Sequence, residues 1–217
     1  MNVEQARFNM VEQQIRTWEV LDPRILDLIG SMPREEFVPA QYRDLAFADI
    51  MIPLGHGQVM MEPKVEARLL QALAIESSDT VLEVGTGSGY FTALLARLGK
   101  HVHSVDIFPD FTENARRALA QHGINNVTLE TGDAAKGWNK HAPYDVIAIT
   151  GSLPALPETF LHSLKPGGRL VAVVGEAPVM EAVLVTRAGE GAQWARESLF
   201  ETNIPLLLNT ARPQFVF

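Results

Sequence analysis

The sequence predicts an α/β fold of the Rossmann-like kind, a mainly parallel twisted sheet that ends in an antiparallel hairpin. Three observations lead there. From Thr80 onward, short β-branched or apolar runs alternate with helical stretches, the pattern of a doubly wound sheet. The first run, Thr80-Val81-Leu82-Glu83-Val84, passes directly into Gly85-Thr86-Gly87-Ser88-Gly89 and then into a helical stretch from Tyr90 to Leu98. Asp106 closes the next run, roughly 20 residues beyond the glycine turn.

The strands so predicted are Thr80–Val84, His101–Asp106, Val127–Thr131, Tyr144–Thr150 and Arg169–Val174, with helices centred on Ala93, Ala115 and Leu161. After Gly175 the helical alternation stops. There Ala182–Thr186 and Arg196–Glu201 flank Ala188-Gly189-Glu190-Gly191 as an antiparallel hairpin. Ahead of the sheet, Phe8, Val11, Ile15 and Trp18 recur at helical spacing, and Asp22-Pro23 supplies an N-cap and first-turn proline for a helix holding Ile25, Leu26 and Ile29. Prolines and glycines from Pro33 to Pro63 predict a long irregular segment, a kind of loop that usually serves function, before helical spacing resumes over Val65–Ala74.

The 217 residues suffice for one buried core, so 1–217 reads as a single domain with an N-terminal helical and loop extension (1–76) on a ligand-binding core (77–217). With no cysteine, disulfides, thiolate metal sites and a cysteine nucleophile are all excluded. Charged residues interrupt the N-terminus at Glu4, Arg7 and Glu12, and no apolar run reaches about 18 residues, so neither an export signal nor a membrane span is expected and the location predicted is cytoplasmic. A net charge of −8 repels polyanions and argues against nucleic acid as a partner.

The glycine turn points to a nucleoside ligand, because glycines let the backbone approach it closely while Asp106 can accept hydrogen bonds from ribose hydroxyls. A dinucleotide fingerprint would need a small residue where Tyr90 stands. Glu83 beside the turn suits the ammonium and sulfonium of S-adenosyl-L-methionine (SAM) and would repel a pyrophosphate. The fold expected is therefore that of SAM-dependent methyltransferases, with Glu83, Gly85, Thr86, Gly87, Ser88, Gly89 and Asp106 as cofactor-binding residues. Asp133 and Ala134, just past the strand Val127–Thr131, are expected at the adenine; a turn or cap role for Asp133 is the plainer alternative.

An ordered set of further residues carries a family resemblance. It includes Met10-Val11 with Gln14-Ile15, Pro33-Arg34 with Phe37-Val38-Pro39, Pro53-Leu54-Gly55 with Gly57-Gln58, and the run Val81 to Tyr90. It continues through Asn126-Val127, Gly132-Asp133, Gly137-Trp138, Ala142-Pro143-Tyr144-Asp145, Pro154 with Pro157, and Gly167-Gly168 with Leu170-Val171. In these the chain resembles the protein-L-isoaspartate (D-aspartate) O-methyltransferase family over most of its length. The resemblance implies a cytoplasmic repair enzyme that moves the methyl group of SAM onto the α-carboxylate of an isoaspartyl residue in a protein or peptide, leaving S-adenosyl-L-homocysteine.

The family's acceptor loop is usually Gly-Gln-Thr-Ile-Ser-Gln-Pro, whereas this chain has Gly57-Gln58-Val59-Met60-Met61-Glu62-Pro63. Met61 thus stands at the serine that the family implicates in catalysis, and a thioether cannot donate a hydrogen bond, so no catalytic residue is assigned. Phe47 replaces a usual tyrosine, Gly151-Ser152 a pair of alanines, and Val173 a proline. The substrate-contacting residues expected are Gln58, Val59, Met61, Thr150 and Ser152, the last two by position at a strand end. The replaced hydroxyls leave two alternatives open: a different methyl acceptor, or SAM binding without turnover. His56 is a further candidate for acceptor contact. No metal is expected, since the six histidines form no helical i, i+4 pair and His101 and His103 alternate on a strand. Trp18 and Trp138 read as core residues, and the chain as a monomer or weak homo-oligomer.

Overall fold

In the computed structural model, which describes residues 2–189, 191 and 193–211, the chain enters through a helix whose pitch changes midway. α1 (Val3–Asn9) starts where the Asn2 side chain accepts from the Gln5 amide, then widens into a π-helical turn over Met10–Ile15 and tightens to a 3-10 turn over Arg16–Trp18. The wide turn re-phases the side chains. Met10, Val11 and Ile15 become buried while Phe8 is 59% exposed, so the even apolar stripe expected from Phe8 to Trp18 is broken. α2 (Pro23–Ser31) is capped by Asp22, whose carboxylate accepts from the Arg24 amide, and buries Ile25, Leu26 and Ile29 as expected.

Within the segment expected to be irregular, the chain forms a small antiparallel hairpin, β1 (Ile52–Gly55) with β2 (Gln58–Met60). Strands this short, one carrying Pro53, leave too few residues for a period-two pattern. α3 (Pro63–Leu73) follows and buries Val65, Leu69, Leu70 and Leu73.

The main sheet has the order β5-β4-β3-β6-β7-β8-β9. In chain order its elements are β3 (Thr80–Val84), α4 (Tyr90–Leu98), β4 (His101–Asp106), α5 (Pro109–Gln121), β5 (Val127–Thr131), β6 (Tyr144–Leu153), α6 (Glu158–His162), β7 (Leu164–Glu176), β8 (Val179–Arg187) and β9 (Trp194–Glu201). β5 through β7 run parallel, and β8 pairs antiparallel with both β7 and β9. The three last strands are longer than predicted, and Glu190 in the β8–β9 turn lies outside the described residues. β6 also outruns its predicted end at Thr150, because a register irregularity between Ala148 and Ser152 lets pairing with β7 resume beyond it.

Alternate residues of the central strands feed two cores. Val81, Val146 and Val171 pack with α3, α4 and the N-terminal helices; Leu82, Ile147 and Leu170 pack with Tyr144 and Phe160 on the other face. Since β3 has β4 on one side and β6 on the other, chain order reverses between β3 and β6, which opens a crevice at their carboxyl ends. Gly89 sets how closely α4 meets α5 there: its φ is +82°, and a Cβ would lie 2.8 Å from that of Ala115. Gly89→Ala should therefore lower stability by about 1–3 kcal/mol, seen as a lower urea midpoint. An unchanged midpoint would show that the helix has room to move.

Candidate cofactor and acceptor site

The glycine turn is fastened from three directions. The Gly85 amide donates to the Val105 carbonyl (2.8 Å), the Gly87 amide to Asp106 Oδ2 (2.9 Å), and the Thr150 hydroxyl points at the carbonyls of Val84 (2.9 Å) and Gly85 (2.6 Å). Gly85 itself has φ +99°, and a side chain there would collide with the Thr150 hydroxyl. Behind the turn runs a buried polar chain: Thr86 Oγ1 to Ser104 Oγ (2.6 Å), Ser104 to Glu83 Oε2 (2.6 Å), and Thr92 to the same oxygen (2.5 Å). Glu83 is fully buried, and burial pushes its carboxyl up to about 8 against the opposing bonds from Ser104 and Thr92.

The crevice in front of the turn is open to solvent on one side and spans about 600 Å³, that open space included. Gly85, Gly87 and Asp106 form one wall, Asp133 and Ala134 another, and Val84, Val105, Ile107, Phe108 and Phe111 supply apolar surface. Each Asp106 oxygen accepts one backbone N–H, from Phe108 and Gly87, so about two of its roughly four lone-pair positions remain for a ligand. Burial raises the pKa of this carboxyl above the usual range, opposed by those amides. Asp133 accepts from the Ala135 amide (3.0 Å) and from Asn209 Nδ2 (2.9 Å), a turn-capping arrangement at the crevice wall.

The β1–β2 hairpin covers one side, placing Leu54, Gln58 and Val59 on the crevice. Its turn, Gly55-His56-Gly57, has positive φ throughout (109°, 53° and 72°). That turn lays the His56 ring flat on Phe108 (centroids 4.1 Å apart, planes 10° apart) with Nε2 3.0 Å from Asp110 Oδ2. Asp110 is held below the ordinary carboxylate range by this histidine.

Past Gly85 and Thr150 the crevice continues into a smaller cavity of about 290 Å³, reached by Val59, Met61, Thr86, Ser88 and Phe91. Glu66, on α3, also faces it. Arg34 is buried beside Glu66 and pairs with its Oε2, while Nε donates to the Ala46 carbonyl (2.9 Å) and Nη2 to that of Met61 (2.7 Å). Burial raises Glu66 to about 7, with the guanidinium pulling the other way.

A profile described as protein-L-isoaspartate(D-aspartate) O-methyltransferase (PCMT) matches residues 5–207. The chain belongs to the protein-L-isoaspartate O-methyltransferase family. It is thereby a SAM-dependent O-methyltransferase of a family that acts on protein or peptide substrates. Among its relatives, a protein-L-isoaspartate O-methyltransferase of Syntrophus aciditrophicus is 41% identical over 86% of this chain and 86% of its own. A second, protein-L-isoaspartate O-methyltransferase 2 of Pelobacter propionicus, is 38% identical over 95% of this chain and 92% of its own. Of solved structures, a protein-L-isoaspartate O-methyltransferase superposes with a TM-score of 0.76 at 26% identity, covering 92% of this chain and 65% of that one. A putative Plasmodium falciparum member in complex with S-adenosyl-L-homocysteine gives 0.77 at 16% identity over 95% of this chain and 98% of that one, a likeness of fold.

For a protein-L-isoaspartate O-methyltransferase, the candidates named from sequence fall into two groups. Gly85, Gly87, Asp106, Asp133, Ala134, Gln58, Val59 and Thr150 border the main crevice, and Thr86, Ser88 and Met61 the smaller cavity. Gly89 is the buried N-cap of α4. Glu83 and Ser152 are placed elsewhere. Glu83 lies on the same face of β3 as Val81, so its carboxyl points under α4 and not at a ligand ammonium or sulfonium. Ser152 is buried with its hydroxyl donating to the Ile204 carbonyl, which pins the segment carrying Leu207 across the crevice rim; its neighbour Gly151 lines the crevice instead. His56 clasps the wall at Phe108 and does not line either cavity.

Sequence reasoning missed Phe108, Phe111, Leu207 and Glu66, which carry no motif of their own and reach the site only through the fold, and it noted Leu54 only within Pro53-Leu54-Gly55, without a site role. Trp18 and Trp138 are half-buried, Trp18 against Phe200 and Trp138 donating to Glu130. Among the described residues His103, Glu130 and His141 form a group with donor atoms within 4.8 Å. The rings of His103 and His141 are stacked 4.0 Å apart at 14°, so their lone pairs run side by side and do not converge, and Glu130 is engaged by Trp138, Lys140 and His141.

The buried Glu83 makes stability depend on pH. Its folded pKa of about 8 exceeds the unfolded value of 4.5, so the folded state holds the extra proton between them and stability falls as pH rises through that window. Melting temperature should drop between about pH 5 and pH 8.5, and Glu83→Gln should flatten the drop by an amount worth a few kcal/mol. Equal pH slopes for the two proteins would show that Glu83 titrates as it does in the unfolded chain.

Proposed function

We propose that this chain methylates the α-carboxylate of L-isoaspartyl (D-aspartyl) residues in damaged proteins, with SAM as methyl donor and S-adenosyl-L-homocysteine as product. The observation that supports it most is the coincidence of the family match over residues 5–207 with a crevice whose chemistry suits a nucleoside. Asp106 keeps acceptor positions for ribose hydroxyls, the apolar walls suit a purine beside Asp133 and Ala134, and Gly85 and Gly87 let the chain run close to the ligand. SAM supplies a methyl group on a positively charged sulfur with a built-in leaving group. The acceptor carboxyl, with a pKa of about 4, is already ionised at neutral pH, so no general base is required. What remains for the protein is alignment and exclusion of water, assigned here to the hairpin residues Gln58 and Val59 and to Thr150.

A second reading, methylation of another acceptor, is favoured by one observation. Val59 and Met61 present no hydroxyl to the space beyond Thr150. The enzyme is read as cytoplasmic and as a monomer or weak homo-oligomer without nucleic-acid partners; no helix among the described residues is long and apolar enough to cross a membrane.

Purified protein given labelled SAM and an isoaspartyl peptide should transfer label to the peptide and none to the aspartyl control. Transfer to other molecules of a lysate with inert isoaspartyl peptide would move the assignment to the second reading. Binding without any transfer would leave a SAM-binding protein. Met61→Ser should raise the isoaspartyl rate several-fold by restoring a donor worth about 1 kcal/mol; a lower rate would mean that the thioether, and not a hydroxyl, shapes this subsite.

A further inference from the structure

We propose that Glu66, held in place by Arg34, is the anionic ligand for the ammonium group at the amino-acid end of the cofactor, so that the cavity beyond Gly85 selects nucleosides carrying an α-amino group. The proposal rests on the reading of the main crevice as the SAM site. It concerns a different end of it.

A nucleoside with its ribose at Asp106 and its base beside Asp133 can run its 5′ substituent along Gly85 and Gly87 into the smaller cavity, since the two spaces share five lining residues, Leu54, Val59, Gly85, Gly87 and Thr150, against the three (Leu54, Gly87 and Phe111) that join the crevice to the space beside Glu36. For SAM and its demethylated product that substituent ends in an ammonium and a carboxylate. Among the described residues facing this cavity Glu66 alone has an ionisable side chain; the rest are apolar, glycine or hydroxyl residues. The acid expected for this task from sequence, Glu83, is committed to Ser104 and Thr92 under α4. The role passes to an acid 17 positions earlier in the chain, brought in by α3.

Its construction supports a ligand role. Arg34 engages Oε2, and Oε1 makes no hydrogen bond to the described residues although the side chain is only 3% exposed. The guanidinium is fixed by the carbonyls of Ala46 and Met61 and by the face of Tyr90, 4.8 Å from its centroid. Glu66 therefore has little rotational freedom, and its spare oxygen is preorganised toward the cavity. The ligand carboxylate, on the far side of its own α-carbon, would meet Ser88 at the amino end of α4, where anions are favoured.

The test compares two ligands on the unaltered protein by calorimetry: S-adenosyl-L-homocysteine and its analogue lacking only the α-amino group. Wild type should bind the first at least tenfold more tightly, about the worth of one charge-assisted hydrogen bond. Glu66→Gln, which keeps a hydrogen-bonding group of the same shape, should abolish that preference while leaving affinity for 5′-methylthioadenosine, which has no amino-acid end, within about twofold. Equal binding of the two ligands by wild type would overturn the proposal, whatever the stability of the variant. So would a parallel loss for all three ligands in the variant, the mark of a merely structural pair. Failure of wild type to bind any of the three would instead overturn the reading of the crevice.

Discussion

A carboxyl group that never meets solvent holds the cofactor turn in place. Glu83 ends the run of β3 that packs under α4, and through Ser104 and Thr92 it ties three elements into one unit: the strand that delivers the turn, the neighbouring strand that delivers Asp106, and the helix that leaves the turn. Thr86, inside the turn, joins the same chain through Ser104. Burying a carboxyl is costly unless its oxygens are matched, and two hydroxyls on one oxygen match only half of it. The strong upward shift of its pKa is the expression of that imbalance: burial favours the neutral form of the carboxyl behind the ligand. A turn so anchored can offer its glycine backbone to a ligand without collapsing onto it.

The N-terminal third is an integral part of the site. Arg34 reaches from the segment after α2 to the carbonyls of Ala46 and Met61 and to Glu66, so one side chain sets the positions of the hairpin's exit, of α3 and of the cavity wall. Phe37 packs edge-on against Tyr90, and Gln14 donates to the Phe47 carbonyl. The hairpin between these anchors brings Leu54, Gln58 and Val59 over the crevice and closes its tip through the stack of His56 on Phe108. The ends of the site thus differ in kind: an acid and apolar walls where a nucleoside would lie, and beyond it a smaller cavity where hydroxyls, methionines and one ion pair meet.

Much of this was legible from residues alone, for physical reasons that also mark the limit. β3, the glycine turn, α4 and Asp106 are contiguous or nearly so, and their chemistry is local: strand, close backbone approach, helix, acid at a strand end. The mainly parallel direction of the sheet and its antiparallel end followed from where the alternation of strands and helices runs and where it stops; the strand order was not legible. Glu83 was misplaced because the side to which a strand residue points depends on which face meets which helix, and sequence distance from the turn does not encode it. Ser152 was misplaced because the irregularity after Ala148 shifts which residue of β6 faces the crevice, so that Thr150 and Gly151 line it and Ser152 turns to Ile204. The helical stripe through Phe8 failed at a π-turn, a deviation of one residue that periodicity cannot foresee. Glu66, Phe108 and Leu207 come from three distant segments and meet only in the folded chain.

The claim on which the rest hangs is that the space between the anchored turn and Asp106 holds a SAM-type nucleoside. A crystal structure grown with S-adenosyl-L-homocysteine measures this most directly. The account predicts electron density with both ribose hydroxyls within hydrogen-bonding reach of Asp106, the sulfur beside Gly85, and Glu83 still bonded to Ser104 and Thr92. A vacant crevice at saturating nucleoside, or a nucleoside bound away from the turn, would contradict it.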